Sequence, residues 1–128
     1  MSREQPPVGE ETSLEVEVTE EMLVNLAGRR IHPLYSTVSM VEHMEVVSRM
    51  LIEPHFAEGE DATGYAVSVV HERPARVGDR LRVTARLTKI DEREAETVAV
   101  VEGPAGRIGI GTLVQRYIRA GLFTEGSG

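Results

Sequence analysis

The sequence predicts an α+β protein in which an antiparallel sheet of about five strands wraps around one long helix. The prediction depends on an alternating strand near the start, one long helical stripe, and a run of strand-like segments with short connections. The 128 residues suit one domain. We expect a flexible lead-in over residues 1–12, the domain over 13–123, and a flexible tail over 124–128.

The first two predicted elements lie before residue 29. Residues 13–18 alternate apolar and charged side chains, which is typical of a half-buried strand. Thr19 precedes two glutamates, which suggests the cap and the acidic first turn of a short helix. This helix would run through Met22, Leu23 and Leu26 and end at Gly28.

The long helix is predicted over residues 38–52, after a segment that contains Pro33. One apolar stripe recurs mostly at spacings of three and four; its members are Met40, Val41, Met44, Val47 and Leu51. Ser36, Thr37 or Ser39 fits the N-cap, and the sequence leaves these alternatives open. Pro54 ends the helix.

The rest of the chain is predicted to form strands over residues 65–71, 81–87, 94–101 and 107–119, which short turns connect. Such a sheet covers one face of the helix and leaves an edge strand unprotected. Pairing with a second copy would solve both problems, so we expect a homodimer or a dimer of dimers.

The composition excludes several function classes. A net charge of -7 disfavours nucleic-acid binding. The absence of cysteine excludes disulfides, thiolate nucleophiles and cysteine-based zinc sites, and no histidine pair has metal-ligand spacing. No apolar run approaches the length of a membrane span or a signal peptide, so we expect no membrane partner and a cytoplasmic location.

Three polar residues are candidates for catalysis. Glu45 falls at the margin of the helical stripe, where a carboxylate is suited to general-base chemistry; a simple ion pair with Arg49 is the alternative. Thr37 lies at the helix start among free N–H groups and is either a catalytic hydroxyl or a cap. His71 shares the strand parity of Tyr65, Val67 and Val69, so it projects toward the helix, where it is either catalytic or a core histidine bonded to the backbone.

Glycines in two strands indicate close approach to the backbone. Gly109 and Gly111 alternate along the last strand, and Gly64 begins the valine-rich strand. Glycine weakens a strand unless something packs closely against it. The helix and a substrate arm are equally good candidates for this neighbour.

Segments 35–45, 59–71, 77–79 and 108–112 together resemble the fluoroacetyl-CoA thioesterase-like family of the hot-dog superfamily. The resemblance implies a hot-dog fold, an acyl-CoA substrate and no cofactor. It also implies a catalytic set of a threonine, a glutamate and a histidine, which fall on Thr37, Glu45 and His71, and a family glycine that falls on Gly64.

The sequence departs from the family pattern after Thr112. The family often has a His-Glu-Arg run there, whereas this chain has its arginine, Arg116, one place late; either Arg116 or Gln115 could bind substrate. The aromatic surroundings that favour a fluorinated acyl group are not recognisable, so fluoroacetyl specificity is not implied. We therefore expect hydrolysis of a small or medium acyl-CoA thioester, with non-catalytic acyl-CoA binding or sensing as the alternative.

Overall fold

A computed structural model describes residues 5–123. The elements are β1 (Glu11–Glu17), β2 (Leu23–Leu26), β3 (Arg29–Tyr35), α1 (Thr37–Ile52), β4 (Glu60–His71), β5 (Arg80–Ile90), β6 (Glu94–Gly103) and β7 (Gly106–Arg119). Five strands form one antiparallel sheet in the order β1-β5-β6-β7-β4, and α1 packs on one face of it. The predicted α+β architecture is confirmed.

The short helix predicted between Thr19 and Gly28 is wrong. Only one 3-10 turn, Glu20–Met22, follows Thr19, whose side chain makes no capping bond. The chain then forms the β2–β3 hairpin, which includes the segment around Pro33. Ala27 and Gly28 both have positive φ, 50° and 80°, as the two central residues of a type I′ turn do. Gly28 therefore reverses the chain within a hairpin instead of ending a helix.

The long helix begins one residue before the predicted start. Ser36 is its N-cap, because the Ser36 hydroxyl accepts a hydrogen bond from Ser39 N–H at 2.9 Å. The stripe buries Met40, Met44, Val47 and Leu51 against the sheet, together with Ser48 and Ile52. The hydroxyl of Thr37 is thus not needed as a cap and remains available for other contacts.

The sheet is shaped to receive two methionines of α1. A Cβ built on Gly109 would lie 2.5 Å from Sδ of Met40, and one built on Gly111 would lie 3.2 Å from Sδ of Met44. Both methionines are fully buried. The helix, one of the two candidates, is therefore the close neighbour that these glycines accommodate.

The structure describes most of the predicted lead-in but none of the predicted tail. From residue 5 onward the predicted lead-in is not loose: Pro6 is buried, Gly9 N–H donates to the carbonyl of Leu87, and β1 begins at Glu11. The lead-in residues 1–4 and the tail at 124–128 lie outside the described residues. Across residues 5–123, no helix is long and apolar enough to cross a membrane.

The two edges of the sheet differ in chemistry. β1 carries three glutamates, which disfavour further pairing at that edge. β4 is 12 residues long and has no lysine, arginine or proline. It exposes Tyr65, Val67 and Val70, which are 59%, 43% and 59% accessible. β4 is thus the edge that lacks protection.

Candidate active site

Thr37 and His71 form a direct pair at one end of the helix. Thr37 is the first residue of α1, and His71 is the last residue of β4. Thr37 Oγ1 lies 2.8 Å from Nδ1 of His71, which is hydrogen-bond distance. Since Ser36 caps the helix, this contact gives the Thr37 hydroxyl a histidine as its partner.

The environment of His71 favours the neutral imidazole. Burial lowers the pKa of His71, and a hydrogen bond with the Arg73 backbone opposes this effect. Nε2 of His71 is buried and has no hydrogen-bond partner among the described residues. A buried polar atom without a partner is costly, so Nε2 marks a place where a further group belongs.

Glu45 lies two helical turns further along, over Gly64. Both carboxylate oxygens are 3.8 Å from the position of a Cβ built on Gly64, an ordinary van der Waals distance, so the carboxylate lies against the face of Gly64 from which a side chain would project. The alternative of an ion pair with Arg49 is not observed, because Arg49 binds Glu53 and Asp61. Glu45 is exposed and has no ion-pair or hydrogen-bond partner among residues 5–123.

A β-bulge puts Gly64 and His71 on the same face of β4. Gly64 pairs with Gln115 and Ala66 pairs with Val114, so Tyr65 is the extra, bulged residue. Without the bulge, strict alternation would place residues 64 and 71 on opposite faces. The bulge also removes Tyr65 from the face that strand parity assigned to it: its ring stacks on the Arg116 guanidinium, 3.6 Å from the centroid.

The three predicted catalytic residues do not meet within one subunit. Thr37 and His71 are in contact, but eight helical residues separate Thr37 from Glu45, a rise of about 12 Å. The structure therefore brings together Thr37 and His71 and places Glu45 two helical turns away, near the middle of α1.

The two candidates on β7 lie on opposite faces. Gln115 is buried on the helix side, 7% accessible. Arg116 points to the outer face, where it pairs with Glu94 at 3.2 Å and stacks on Tyr65. Within this chain Arg116 is thus held away from Thr37 and His71.

A second polar pair, which no sequence pattern predicted, lies beside His71. The Tyr35 hydroxyl lies 2.6 Å from Nδ1 of His43, and the Tyr35 ring meets His71 edge-on with centroids 6.1 Å apart. Burial raises the pKa of Tyr35 and lowers that of His43. The Tyr35 phenol and the His43 imidazole are therefore both neutral, and the Tyr35 hydroxyl donates its hydrogen bond to Nδ1 of His43. No sequence spacing rule links a pre-helix tyrosine to a helical rim histidine.

An open cleft of about 340 Å³ adjoins the Thr37–His71 pair. The hairpin contributes Val24, Leu34 and Tyr35, and the loop after β4 contributes Glu72, Arg73 and Pro74. The cleft gives a small ligand access to Thr37. Such a site, with a paired hydroxyl and imidazole beside a cleft, suits acyl transfer.

The family model described as FlK, fluoroacetyl-CoA-specific thioesterase, matches residues 18–120. The chain belongs to this family. A Thermus thermophilus hypothetical protein, TTHA0967, described as a thioesterase superfamily member, is 35% identical, with a TM-score of 0.84 and coverage of 88% of this chain and 84% of that chain. A search of curated protein sequences gave no match.

Two further solved structures agree in fold. A variant of the thioesterase FlK in complex with fluoroacetate and CoA is 24% identical, with a TM-score of 0.85 over 92% of this chain and 99% of that one. A hot-dog-like protein from Thermanaerovibrio acidaminovorans is 19% identical, with a TM-score of 0.80 over 89% and 84%. These two structures confirm the predicted hot-dog fold. The family match and the 35% identical relative confirm the predicted thioesterase function.

Membership in the FlK family assigns the site to thioester hydrolysis. Among the described residues, no group of three or more histidine, aspartate or glutamate side chains is arranged to hold a metal ion.

Proposed function

We propose that this chain hydrolyses a small or medium acyl-CoA thioester as a homodimer, at sites that two subunits share. Thr37 and His71 of one subunit and Glu45 of the partner subunit form each site. The observation that carries the proposal is the buried Nε2 of His71, which has no partner among the described residues although Nδ1 is bound to Thr37. A cytoplasmic location, expected from the sequence, remains part of the proposal.

The exposed edge of β4 supports the dimer. Two copies of β4 can pair antiparallel about a two-fold axis, which would join the two sheets into one. Val38 on α1 is 71% accessible and, with Val67, adds apolar surface near this edge. Dimerisation would cover these side chains and satisfy the edge backbone groups.

The position of the two-fold axis decides which residues meet. From Ser68 to His71 there are three ladder positions, and from Ser68 to Gly64 there are also three, because Tyr65 is bulged. An axis at Ser68 would therefore place His71 opposite the partner's Gly64. His71 and Gly64 both face the helix side of the sheet. In this register, helix-side residues of one β4 therefore lie opposite helix-side residues of the partner's β4.

This register would supply the missing partner of His71. Side chains directly opposite on antiparallel strands have Cβ atoms about 4.5–5.5 Å apart. The Glu45 carboxylate lies 3.8 Å from the Cβ position of Gly64, so it projects close to where such a side chain would. Glu45 of the partner subunit would then lie beside the His71 ring, within reach of the open Nε2.

The resulting relay can perform thioester hydrolysis with every proton accounted for. The Thr37 hydroxyl donates to Nδ1 of His71, whose Nε2–H donates to the partner's Glu45. Thr37 Oγ1 attacks the carbonyl, its proton moves to Nδ1, and the C–S bond breaks as the leaving thiolate takes that proton. Water, deprotonated by Nδ1 of His71, then attacks the acyl-threonine ester; the acyl C–O bond breaks, Thr37 Oγ1 takes back that proton from Nδ1, and the acid leaves. If water attacks the thioester directly, Thr37 positions it.

Two further groups complete the site. Ser39 N–H is already bound by Ser36, so the N–H groups of Thr37 and Val38 are the donors for the developing oxyanion. Glu45, expected from the sequence to be the general base, acts in this arrangement by orienting His71 and stabilising the imidazolium. It thus works through the histidine of the other subunit.

A thiol-release assay with a series of acyl-CoA esters, run beside thermal-shift measurements, tests the function. We expect release of free CoA from small or medium acyl esters. Replacing Thr37 with valine, which removes only the hydroxyl, should lower kcat about 10²–10⁴-fold. Thermal shifts without thiol release would contradict hydrolysis and favour acyl-CoA binding or sensing.

A Ser68→Cys variant is expected to form a disulfide between subunits on mild oxidation. The chain has no native cysteine, so the new thiol is unique. Residues opposite each other at the axis have Cα atoms about 4.5–5.5 Å apart, which suits a disulfide. Non-reducing electrophoresis measures the cross-linked dimer.

Val70→Cys is the matched control, because Val70 is also exposed on the same strand. An axis at Ser68 would separate the two introduced thiols by four strand positions, about 13 Å, so no disulfide should form. Rapid cross-linking of the Val70→Cys variant, or none of the Ser68→Cys variant, would exclude this register.

A further inference from the structure

We propose that Arg73 binds a carboxylate at the far end of the acyl group, so that this thioesterase favours short dicarboxylic acyl thioesters. The inference rests on the proposed hydrolysis and names its substrate class. Arg73 lines the cleft that adjoins Thr37 and His71, and its guanidinium rests beside Gly106 in the β6–β7 turn, 3.9 Å from a Cβ built there.

The charge of Arg73 is not neutralised within the described chain. Its sequence neighbour Glu72 also lines the cleft, but Arg107 binds both Glu72 oxygens at 2.6 and 2.9 Å. No carboxylate of residues 5–123 lies within ion-pair distance of Arg73. Arg73, Glu72 and Arg107 together leave one positive charge at this end of the cleft.

The remaining walls of the cleft suit the methylene groups of an acyl chain. Val24 and Leu34 of the hairpin and Pro74 of the loop are apolar. A short chain attached at Thr37 could therefore lie between apolar walls with its terminal carboxylate at Arg73. A guanidinium recognises a carboxylate with paired, charge-assisted hydrogen bonds.

The position of Arg73 along the chain argues against a phosphate of CoA as its ligand. Arg73 follows His71 by two residues, so their Cα atoms are at most about 7 Å apart. The whole pantetheine arm separates the thioester sulfur from the nearest phosphate. Because Arg73 lines the same cleft as Thr37 and His71, it is better placed to contact the acyl portion.

The experiment compares two acyl groups that differ in charge but hardly in shape, glutaryl and its monoamide glutaramoyl. Each is offered as the CoA thioester and as the N-acetylcysteamine thioester, which has no phosphate. We expect wild-type kcat/KM to favour glutaryl roughly 10-fold or more in both series. Arg73→Met should lower this glutaryl-to-glutaramoyl ratio at least about 10-fold, and Arg73→Lys should keep part of it.

Arg76→Met is the matched control, because Arg76 lies in the same loop but does not line the cleft. This variant should keep the wild-type glutaryl-to-glutaramoyl ratio of kcat/KM. The Tm of every variant is measured, so that a loss of stability is distinguished from a change in specificity. A wild-type ratio of one or less would overturn the inference while leaving hydrolysis established. An Arg73 effect confined to the CoA series would overturn it in favour of phosphate binding. Hydrolysis of none of the four thioesters, while unsubstituted short acyl-CoA esters are hydrolysed, would also overturn the inference. Hydrolysis of no acyl-CoA ester at all would overturn the proposed function itself.

Discussion

Mixing the inactive Glu45→Ala and His71→Ala variants is expected to restore about one quarter of wild-type activity, because a two-fold dimer with shared sites allows complementation. Each variant alone should lose about 10²–10⁴-fold in kcat, since each removes one member of the relay. At equal amounts, half of the dimers contain one subunit of each kind. One of the two sites in such a dimer combines native Thr37 and His71 with the partner's native Glu45.

The geometry gives this recovery its diagnostic value. If each site used Glu45 and His71 of the same subunit, every site in the mixture would carry one lesion and activity would stay absent. The about 12 Å rise along α1 between residues 37 and 45 already disfavours that arrangement. Co-expression with two different tags isolates the mixed dimer, and its kcat is compared with that of wild type per dimer.

A mixture of Thr37→Val with His71→Ala is the matched control. Thr37 and His71 lie on the same side of the proposed interface, 2.8 Å apart within one subunit. No assortment of these two chains produces an intact site, so activity should not return. Full mixed-dimer formation by Glu45→Ala and His71→Ala without recovery would refute the shared site.

The helix and the strand at residues 81–87 were predictable because each carries one clear period. The stripe through Met40 and Met44 repeats with the helical turn, and residues 81–87 alternate with the strand pleat. The hairpin at residues 23–35 was missed because its signals are ambiguous. Ala27 occupies a positive-φ position at which asparagine is commoner, so the type I′ turn left little trace in the sequence.

Individual site residues were easier to predict than their arrangement. Thr37 and His71 could be placed on a helix start and a strand end, and these elements do bring them together. The bulge at Tyr65 could not be predicted from parity, and without it Gly64 and His71 would face opposite sides. Glu45 was expected at the margin of the buried stripe; in the single subunit it is exposed, and the proposed dimer would cover it with the partner subunit.

Gly109→Ala is expected to lower the free energy of unfolding by about 1–3 kcal/mol, the usual cost of overpacking a close-packed core. The new methyl carbon would lie 2.5 Å from Sδ and 2.8 Å from Cε of Met40, and 3.0 Å from the backbone oxygen of Val70. Met40 is 0% accessible, so its side chain has little space into which to move. Thermal and urea unfolding at one fixed protein concentration measure the change, since dimer stability depends on concentration.

Gly64→Ala is the control for replacing a strand glycine in general. Its Cβ would lie 3.8 Å from the Glu45 carboxylate, an ordinary contact, so its stability should stay within about 0.5 kcal/mol of wild type. Met40→Ala alone should cost about 2–5 kcal/mol by opening a cavity, and adding Gly109→Ala should cost less in that background, because the methyl group then enters vacated space. If the losses in unfolding free energy from Met40→Ala and Gly109→Ala were strictly additive, the Met40 side chain would not be the reason that residue 109 must be glycine.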